Sequence, residues 1–208
     1  MKAEQQLDLI KRLKAIAETG IVYSKKGSYD IERYTELKEI SLQLMAHVGN
    51  QPLETILKFF MPQEDYPTPK VDVRGFVLND ENEILLAKES VDGKWSIPGG
   101  WADIGCTPSE VVIKEIEEET GLKVEVDRLL AVYDKQRHPH PPEPFYVYKM
   151  MFYCKVKGGS LKAGFDMLET GYFPLNNLPE LSENRILESQ LKQLYKMVQT
   201  EEQKVYID

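Results

Sequence analysis

Three glutamates, spaced three and four residues apart, have the clearest chemical meaning in this sequence. Glu115, Glu118 and Glu119 lie in the stretch EVVIKEIEEETG. On an α-helix this spacing places side chains on neighbouring turns, where like charges repel and the negative end of the helix dipole disfavours them further. A bound cation removes both objections, so the pattern predicts a divalent-metal site, with Mg²⁺ expected and Mn²⁺ as the alternative ion. A solvated acidic face is the simpler alternative.

The flanking residues predict where this helix begins and ends. Thr107, Pro108 and Glu110 have the types and spacing of a capping box with proline in the first turn. Gly121 is a typical residue just after a helix end. The sequence therefore predicts a helix over residues 108–120, with its apolar side at Val111, Val112 and Ile116.

Composition limits the classes of function. The chain has 208 residues, 42% of them hydrophobic, which suffices for one good core and a small appendage. Its formal net charge of −8 makes nucleic acid an unlikely partner. The two cysteines lack metal-ligand spacing, and neither a signal peptide nor a membrane span is predicted, so we expect a cytoplasmic protein.

The pattern along the chain changes near residue 70. Residues 1–61 carry helical apolar stripes, with Gly20 expected to end the first helix and Asp30 expected to cap the second. Residues 62–70, PQEDYPTPK, hold three prolines and predict a linker. Residues 71–208 mix alternating strands with two helices, the second from Ser182 onward. These features predict an α+β fold: a mixed α/β sandwich with a helix on each face, plus a small helical N-terminal domain.

The stretch from Gly100 to Leu122 resembles the Nudix box, G-x5-E-x7-R-E-U-x-E-E-x-G-U, where U is aliphatic. The matching positions are Gly100, Glu115, Ile116, Glu118, Glu119, Gly121 and Leu122. Two positions depart: Cys106 replaces the early glutamate and Lys114 replaces the arginine. We interpret Cys106 as a buried structural thiol, with a nucleophile as the alternative. The resemblance implies a Nudix-type α/β/α sandwich over about residues 70–200.

The same resemblance implies metal-dependent hydrolysis of a nucleoside diphosphate linked to another moiety. Glu115, Glu118 and Glu119 would be the metal ligands, and Glu118 or Glu169 the base. The N-terminal helices resemble an extension found in a bacterial Nudix group associated with CDP-choline and ADP-ribose pyrophosphatase activity. CDP-choline, giving CMP and phosphocholine, ranks first and ADP-ribose second. The alternatives are a non-catalytic nucleotide sensor and, ranked lower, RNA-end processing.

Five further residues are candidates for substrate binding. Gly100 lets backbone approach a phosphate or the metal ion closely. Trp101 and Asp103 follow it and could line the mouth of the pocket. Lys149 and Arg74 each interrupt an apolar strand, so each either reaches out to solvent or points into a polar cleft near phosphate. The apolar face of the N-terminal helices predicts a homodimer.

Overall fold

The computed structural model of the protein describes residues 3–25, 28–59, 69–141 and 146–208. The chain divides into two compact units, residues 1–67 and 68–208. Most of the predicted linker, residues 62–68, lies outside the described residues. Within the described ranges, no helix has the length and apolar character that a membrane span requires.

Within its described residues, the N-terminal unit contains three helices: α1 Ala3–Tyr23, α2 Tyr29–Val48 and α3 Leu53–Phe59. Gly20 does not end α1, contrary to the prediction. A Cβ atom at Gly20 would lie 2.5 Å from the ring of Tyr34, so the glycine allows α1 and α2 to pack closely. Asp30 is not the cap of α2 either, because Ser28 occupies the N-cap position and Asp30 lies in the first turn.

The second unit contains two sheets and two α-helices. The strands are β1 Lys70–Val77, β2 Ile84–Glu89, β3 Trp95–Ser96, β4 Gly99–Trp101, β5 Leu122–Asp134, β6 Val147–Gly159, β7 Met167–Phe173 and β8 Tyr206–Ile207. The helices are α4 Pro108–Thr120 and α5 Glu188–Gln199, with a 3₁₀ turn over Lys135–Arg137. One sheet has the order β4-β1-β6-β5-β8 and the other β3-β2-β7. The pairs β1–β6 and β5–β8 are parallel and the other pairs are antiparallel.

The two helices cover separate cores, as the sandwich prediction requires. Ile116 of α4 packs with Val73 and Val77 of β1, while Leu191 of α5 packs in a cluster with Phe76. Successive strand residues point to opposite faces, so the even-numbered residues of β1 share the face of Phe76. The mixed sheet and the α+β class are therefore confirmed.

The packing of α4 depends on a glycine in β1. A Cβ atom at Gly75 would lie 2.4 Å from Cδ1 of Ile116, so only a glycine lets the helix approach this closely. The second helix begins later than predicted, at Glu188 rather than near Ser182. The Ser182 hydroxyl instead donates to Asp92 at 2.6 Å, and Ile186 is fully buried in the segment before α5.

Candidate active site

Local signals at both ends fix the position of α4. The Thr107 hydroxyl accepts a hydrogen bond from the Glu110 amide at 3.3 Å, and the Glu110 carboxylate accepts one from the Thr107 amide at 2.7 Å. At the other end Gly121 has φ 73° and donates its N–H to the Glu117 carbonyl. The predicted bounds, 108–120, are confirmed.

Glu119 is joined to the glycine pair that precedes the helix. The Gly99 N–H donates to Oε2 of Glu119 at 3.0 Å, and the carboxylate is almost fully buried. Burial raises the pKa of Glu119 to about 8, against the opposing effects of the Arg74 charge and the Gly99 hydrogen bond. Gly99 has φ +143°, and a Cβ atom there would lie 2.1 Å from the Val73 carbonyl oxygen. No other residue type fits this position without moving the backbone.

Glu115 lies beside the second glycine of the pair. A Cβ atom at Gly100 would lie 3.0 Å from Oε1 of Glu115. Burial also raises the pKa of the Glu115 carboxyl. Glu118, by contrast, is exposed. The structure therefore places two of the three predicted ligands against the glycine pair and leaves the third in solvent.

Carboxylate oxygens beside the glycine pair offer donors of the type that suits a hard cation. Among the described residues, no three histidine, cysteine or acidic side chains form a group that could hold a metal ion. The carboxylate oxygens of Glu115 and Glu119 are nevertheless the ligands that Mg²⁺ prefers. The absence of side chains at Gly99 and Gly100 keeps the space next to these oxygens open. The residues present therefore fit a divalent cation.

The two positions that depart from the Nudix box have different environments: Lys114 forms an ion pair and Cys106 packs against apolar side chains. Lys114, in the arginine position, places Nζ 3.2 Å from Oδ2 of Asp103, and both side chains are about half exposed. Cys106 was expected to be buried but is half-buried. It packs against the core formed by α4 and β1. Lys114 therefore pairs with Asp103, three residues before the position where the box has its glutamate.

Trp101 is the most exposed aromatic group next to the glycine pair. It ends β4 and is 40% exposed, with the Lys70 ammonium 5.3 Å from its ring centroid. An aromatic ring at such a position offers a stacking surface to a nucleobase or another flat group.

The structure buries both cationic candidates for substrate binding. Arg74 and Lys149 are 6% and 2% exposed, and each forms an ion pair with the buried Asp72. Burial alone would raise the pKa of Asp72, but the two cations together lower it to about 2. Burial lowers the pKa of Lys149 to about 8, although Asp72 opposes this change. Contact of either cation with substrate remains a prediction.

Glu169, the second candidate base, lies on β7 away from α4 in the chain. Its carboxylate accepts a hydrogen bond from Lys88 Nζ at 3.2 Å and is 60% exposed. Its role remains a prediction, as does that of Glu118.

Sequence reasoning did not single out Asp72 and Glu89, two buried acids that pair with Arg74. One signal was available for Asp72. In the alternating stretch VDVRGF, Asp72 and Arg74 are two residues apart and so share one face of the strand. Glu89 becomes recognisable only when β1 and β2 are brought together, because it is fifteen positions along the chain from Arg74.

Comparisons with known proteins agree with this geometry. Residues 68–194 match the NUDIX domain family, and residues 4–60 match a family described as a UDP-X-like, N-terminal oligomerisation domain. The chain therefore belongs to the Nudix family and is a Nudix pyrophosphohydrolase. Members of this family generally need a divalent metal ion, typically Mg²⁺.

Three similar proteins extend over most or all of the chain. YjhB of Bacillus subtilis (strain 168), provisionally named an ADP-ribose pyrophosphatase, is 41% identical over 97% of this chain and 96% of its own length. The crystal structure of a UDP-X diphosphatase covers 100% of both chains at 32% identity, with a TM-score of 0.66. That of an ADP-ribose pyrophosphatase from Streptococcus suis 89-1591 covers 68% of this chain and 100% of its own at 33% identity, with a TM-score of 0.62.

Proposed function

We propose that the chain hydrolyses the pyrophosphate bond of a nucleoside diphosphate conjugate, using a divalent cation held by carboxylates of α4. The observation that carries this proposal is the burial of Glu119 against Gly99, with the half-buried Glu115 beside Gly100. Carboxylates removed from water are costly unless they are paired or bind a cation. The hydrogen bond from Gly99 offsets the desolvation of the Glu119 carboxylate only in part, because the pKa of Glu119 remains raised.

The roles of the chain's own residues follow from their positions. Glu115 and Glu119 would hold the ion, with Glu118 completing the set by a change of rotamer. A bound divalent cation neutralises developing charge on the pyrophosphate and lowers the pKa of a bound water. Glu169, on β7, would take the proton from that water, with Glu118 as the alternative base if it remains in solvent and does not bind the ion.

The substrate-facing groups lie beside the same glycine pair. The backbone of Gly100 can approach a phosphate closely, and the Trp101 ring offers a surface for a base. Asp103, held by Lys114, lies at the start of the loop that follows. These positions support a pocket that opens next to β4.

Two substrates are candidates. The names of the B. subtilis and S. suis relatives support ADP-ribose, and the UDP-X diphosphatase supports a broader class of nucleoside diphosphate conjugates. The resemblance of residues 16–37 to the N-terminal extension of a CDP-choline-cleaving group supports CDP-choline as the second candidate.

A substrate panel tests the proposal. ADP-ribose, CDP-choline and a UDP-sugar are incubated with Mg²⁺ or Mn²⁺ and the products are separated by ion-exchange chromatography. We expect a nucleoside monophosphate and a phosphorylated second product from at least one substrate. Glu118→Gln and Glu169→Gln are compared over a range of pH. Loss of turnover at unchanged metal affinity identifies the base, whereas weaker metal binding in Glu118→Gln identifies Glu118 as a ligand of the ion. Tight binding of every nucleotide without cleavage would instead support the sensor alternative.

We also propose a homodimer formed through the N-terminal helices. Leu9, Leu13 and Ile16 follow one another on α1 at helical spacing and are 46%, 38% and 56% exposed. These three residues form an exposed apolar stripe on α1. The match of residues 4–60 to a family described as an oligomerisation domain supports the proposal that this stripe is part of the dimer interface.

A further inference from the structure

Six charged side chains in the second unit form a chain in which the signs alternate. It runs from β6 through β1 and β2 to the segment before α5 and ends in the turn between β2 and β3. In order, its members are Lys149, Asp72, Arg74, Glu89, Arg185 and Asp92. The three cations and three anions of this row of side chains sum to zero charge, which removes much of the desolvation free energy of burying them.

Arg74 occupies the centre of this chain and is 6% exposed. Its Nε donates to both oxygens of Asp72, at 3.0 and 3.2 Å. Its Nη1 lies 3.9 Å from Oε1 of Glu89, which in turn lies 2.8 Å from Nε of Arg185. The acids on either side therefore fix the plane of the guanidinium.

The same guanidinium also holds the backbone that leads into the glycine pair. Nη1 of Arg74 donates to the Ile97 carbonyl at 3.2 Å and to the Ser96 hydroxyl at 3.1 Å. Two residues further on, Gly99 is the cross-strand partner of Arg74 and gives its N–H to Glu119. Residues 97–99 are thus held by Arg74 at one end and by Glu119 at the other.

We propose that Arg74 is a positioning residue for the metal site. Arg74 holds the segment 97–99 in the position where Gly99 bonds to Glu119 and Glu115 lies beside Gly100. Arg74 itself makes no contact with substrate. The proposal rests on the proposed function, because it assumes that these carboxylates hold a divalent cation. A planar fork of donors is needed, since a lysine ammonium cannot satisfy Asp72 and also reach both acceptors at 96 and 97.

The test compares Arg74→Lys with Arg185→Lys. Both substitutions keep the charge in the same ionic chain, but Arg185 makes no hydrogen bond to residues 96–99 among those found in the described residues. Mn²⁺ affinity is measured without substrate from the free-Mn²⁺ electron paramagnetic resonance signal. Amide hydrogen exchange at Ile97 and Gly99 is measured without metal, since Pro98 between them has no amide hydrogen. The values of kcat and KM are measured separately.

We expect Arg74→Lys to weaken Mn²⁺ binding by about 10-fold or more, the range typical for residues that orient metal ligands. Exchange at Ile97 and Gly99 should accelerate, and kcat should fall with little change in the nucleotide KM. Arg185→Lys should leave Mn²⁺ affinity within about 2-fold, because it changes only stability. Ser96→Ala removes one hydrogen-bond acceptor of Arg74 and no charge, so it should show a smaller loss of Mn²⁺ affinity. This variant provides the test if Arg74→Lys does not fold.

Three results would overturn the inference. Wild-type Mn²⁺ affinity in Arg74→Lys and Ser96→Ala would show that Arg74 does not act on the site. An equal loss of Mn²⁺ affinity in Arg185→Lys would mean that the loss in Arg74→Lys reflects lower protein stability and not the positioning of the segment 97–99. A raised nucleotide KM at unchanged Mn²⁺ affinity would make Arg74 a substrate ligand. Failure of the proposed function is a separate result, in which the wild-type protein itself neither binds Mn²⁺ nor cleaves any nucleotide of the panel.

Discussion

Gly99 and Glu119, twenty positions apart in the chain, are joined by a hydrogen bond of 3.0 Å from the glycine N–H to the carboxylate. This contact links the first residue of β4 to the last turn of α4. Gly99 itself is required by its positive φ and by the Val73 carbonyl oxygen, which a Cβ atom there would meet at 2.1 Å.

The two glycines of the pair should respond differently to alanine. Gly99→Ala should destabilise the second unit by about 3 kcal/mol or more, because the new Cβ meets a backbone carbonyl at a strained φ. Gly100→Ala should change the melting temperature little but weaken Mn²⁺ binding, because its Cβ would meet the movable Glu115 carboxylate. Calorimetry and Mn²⁺ titration measure the two effects.

Gly158→Ala is the control for these glycine substitutions, because a Cβ atom there would have nothing within 4 Å. It should change neither Mn²⁺ affinity nor stability by much. Equal Mn²⁺ affinity in Gly100→Ala and wild type would contradict the placement of the metal site beside Gly100.

His140 should make the stability of the second unit depend on pH. Its Nδ1 lies 2.5 Å from the Glu183 carbonyl oxygen, so this nitrogen carries a proton and donates it. Burial lowers the pKa of His140 to about 4, and the charges of Lys149 and Lys135 act in the same direction. The unfolded chain therefore binds more protons than the folded protein between about pH 6.5 and pH 4. The His140 contribution to stability falls as the pH drops through this window and is constant below it.

Tryptophan fluorescence measures this dependence in the second unit alone, because both tryptophans, Trp95 and Trp101, lie there. Urea unfolding of His140→Gln should vary less between pH 6.5 and 4 than that of wild type. His47→Gln, which removes an exposed histidine of the helical unit, is the control. An unchanged pH dependence in His140→Gln would mean that another group titrates in this range.

The two cysteines should differ in their tolerance of serine. Cys106 is half-buried, so Cys106→Ser should keep kcat within about 2-fold and cost about 1 kcal/mol or less. Cys154 is fully buried, so Cys154→Ser should cost more, because its hydroxyl would lie in the apolar core. Hydrolysis assays and urea unfolding provide the data. Loss of turnover in folded Cys106→Ser would instead revive the nucleophile alternative.

The dimer proposal predicts a change of mass in solution. Leu13→Glu places a charge in the exposed stripe of α1 and should convert a dimer into a monomer without unfolding the second unit. Light scattering coupled to size-exclusion chromatography measures the mass. Leu161→Glu, at a leucine of similar exposure in the second unit, should leave the dimer intact. A dimer in both variants would place the interface elsewhere.

Local sequence signals predicted α4 well, and non-local pairing was much harder to predict. The cap at Thr107 and the stop at Gly121 depend on a few neighbouring residues, so both were correct. The prediction that Gly20 ends α1 is wrong, because this glycine instead makes room for the ring of Tyr34 on the next helix. Arg74 and Lys149 are recognisable as unusual charges within strands, and Asp72 shares a strand face with Arg74. The pairing of Asp72 with Lys149 becomes evident only when β1 and β6 are paired.

The central claim is that the carboxylates of α4 hold a divalent cation next to the glycine pair. Anomalous diffraction from crystals soaked in Mn²⁺ with a non-hydrolysable nucleotide tests it most directly. The account predicts an anomalous peak about 2.1 Å from oxygens of Glu115 and Glu119, and no such peak in Glu119→Gln. Glu117→Gln, an exposed acid of the same helix, should retain the peak. Nucleotide density without any anomalous peak near α4 in the wild-type crystal would contradict the account.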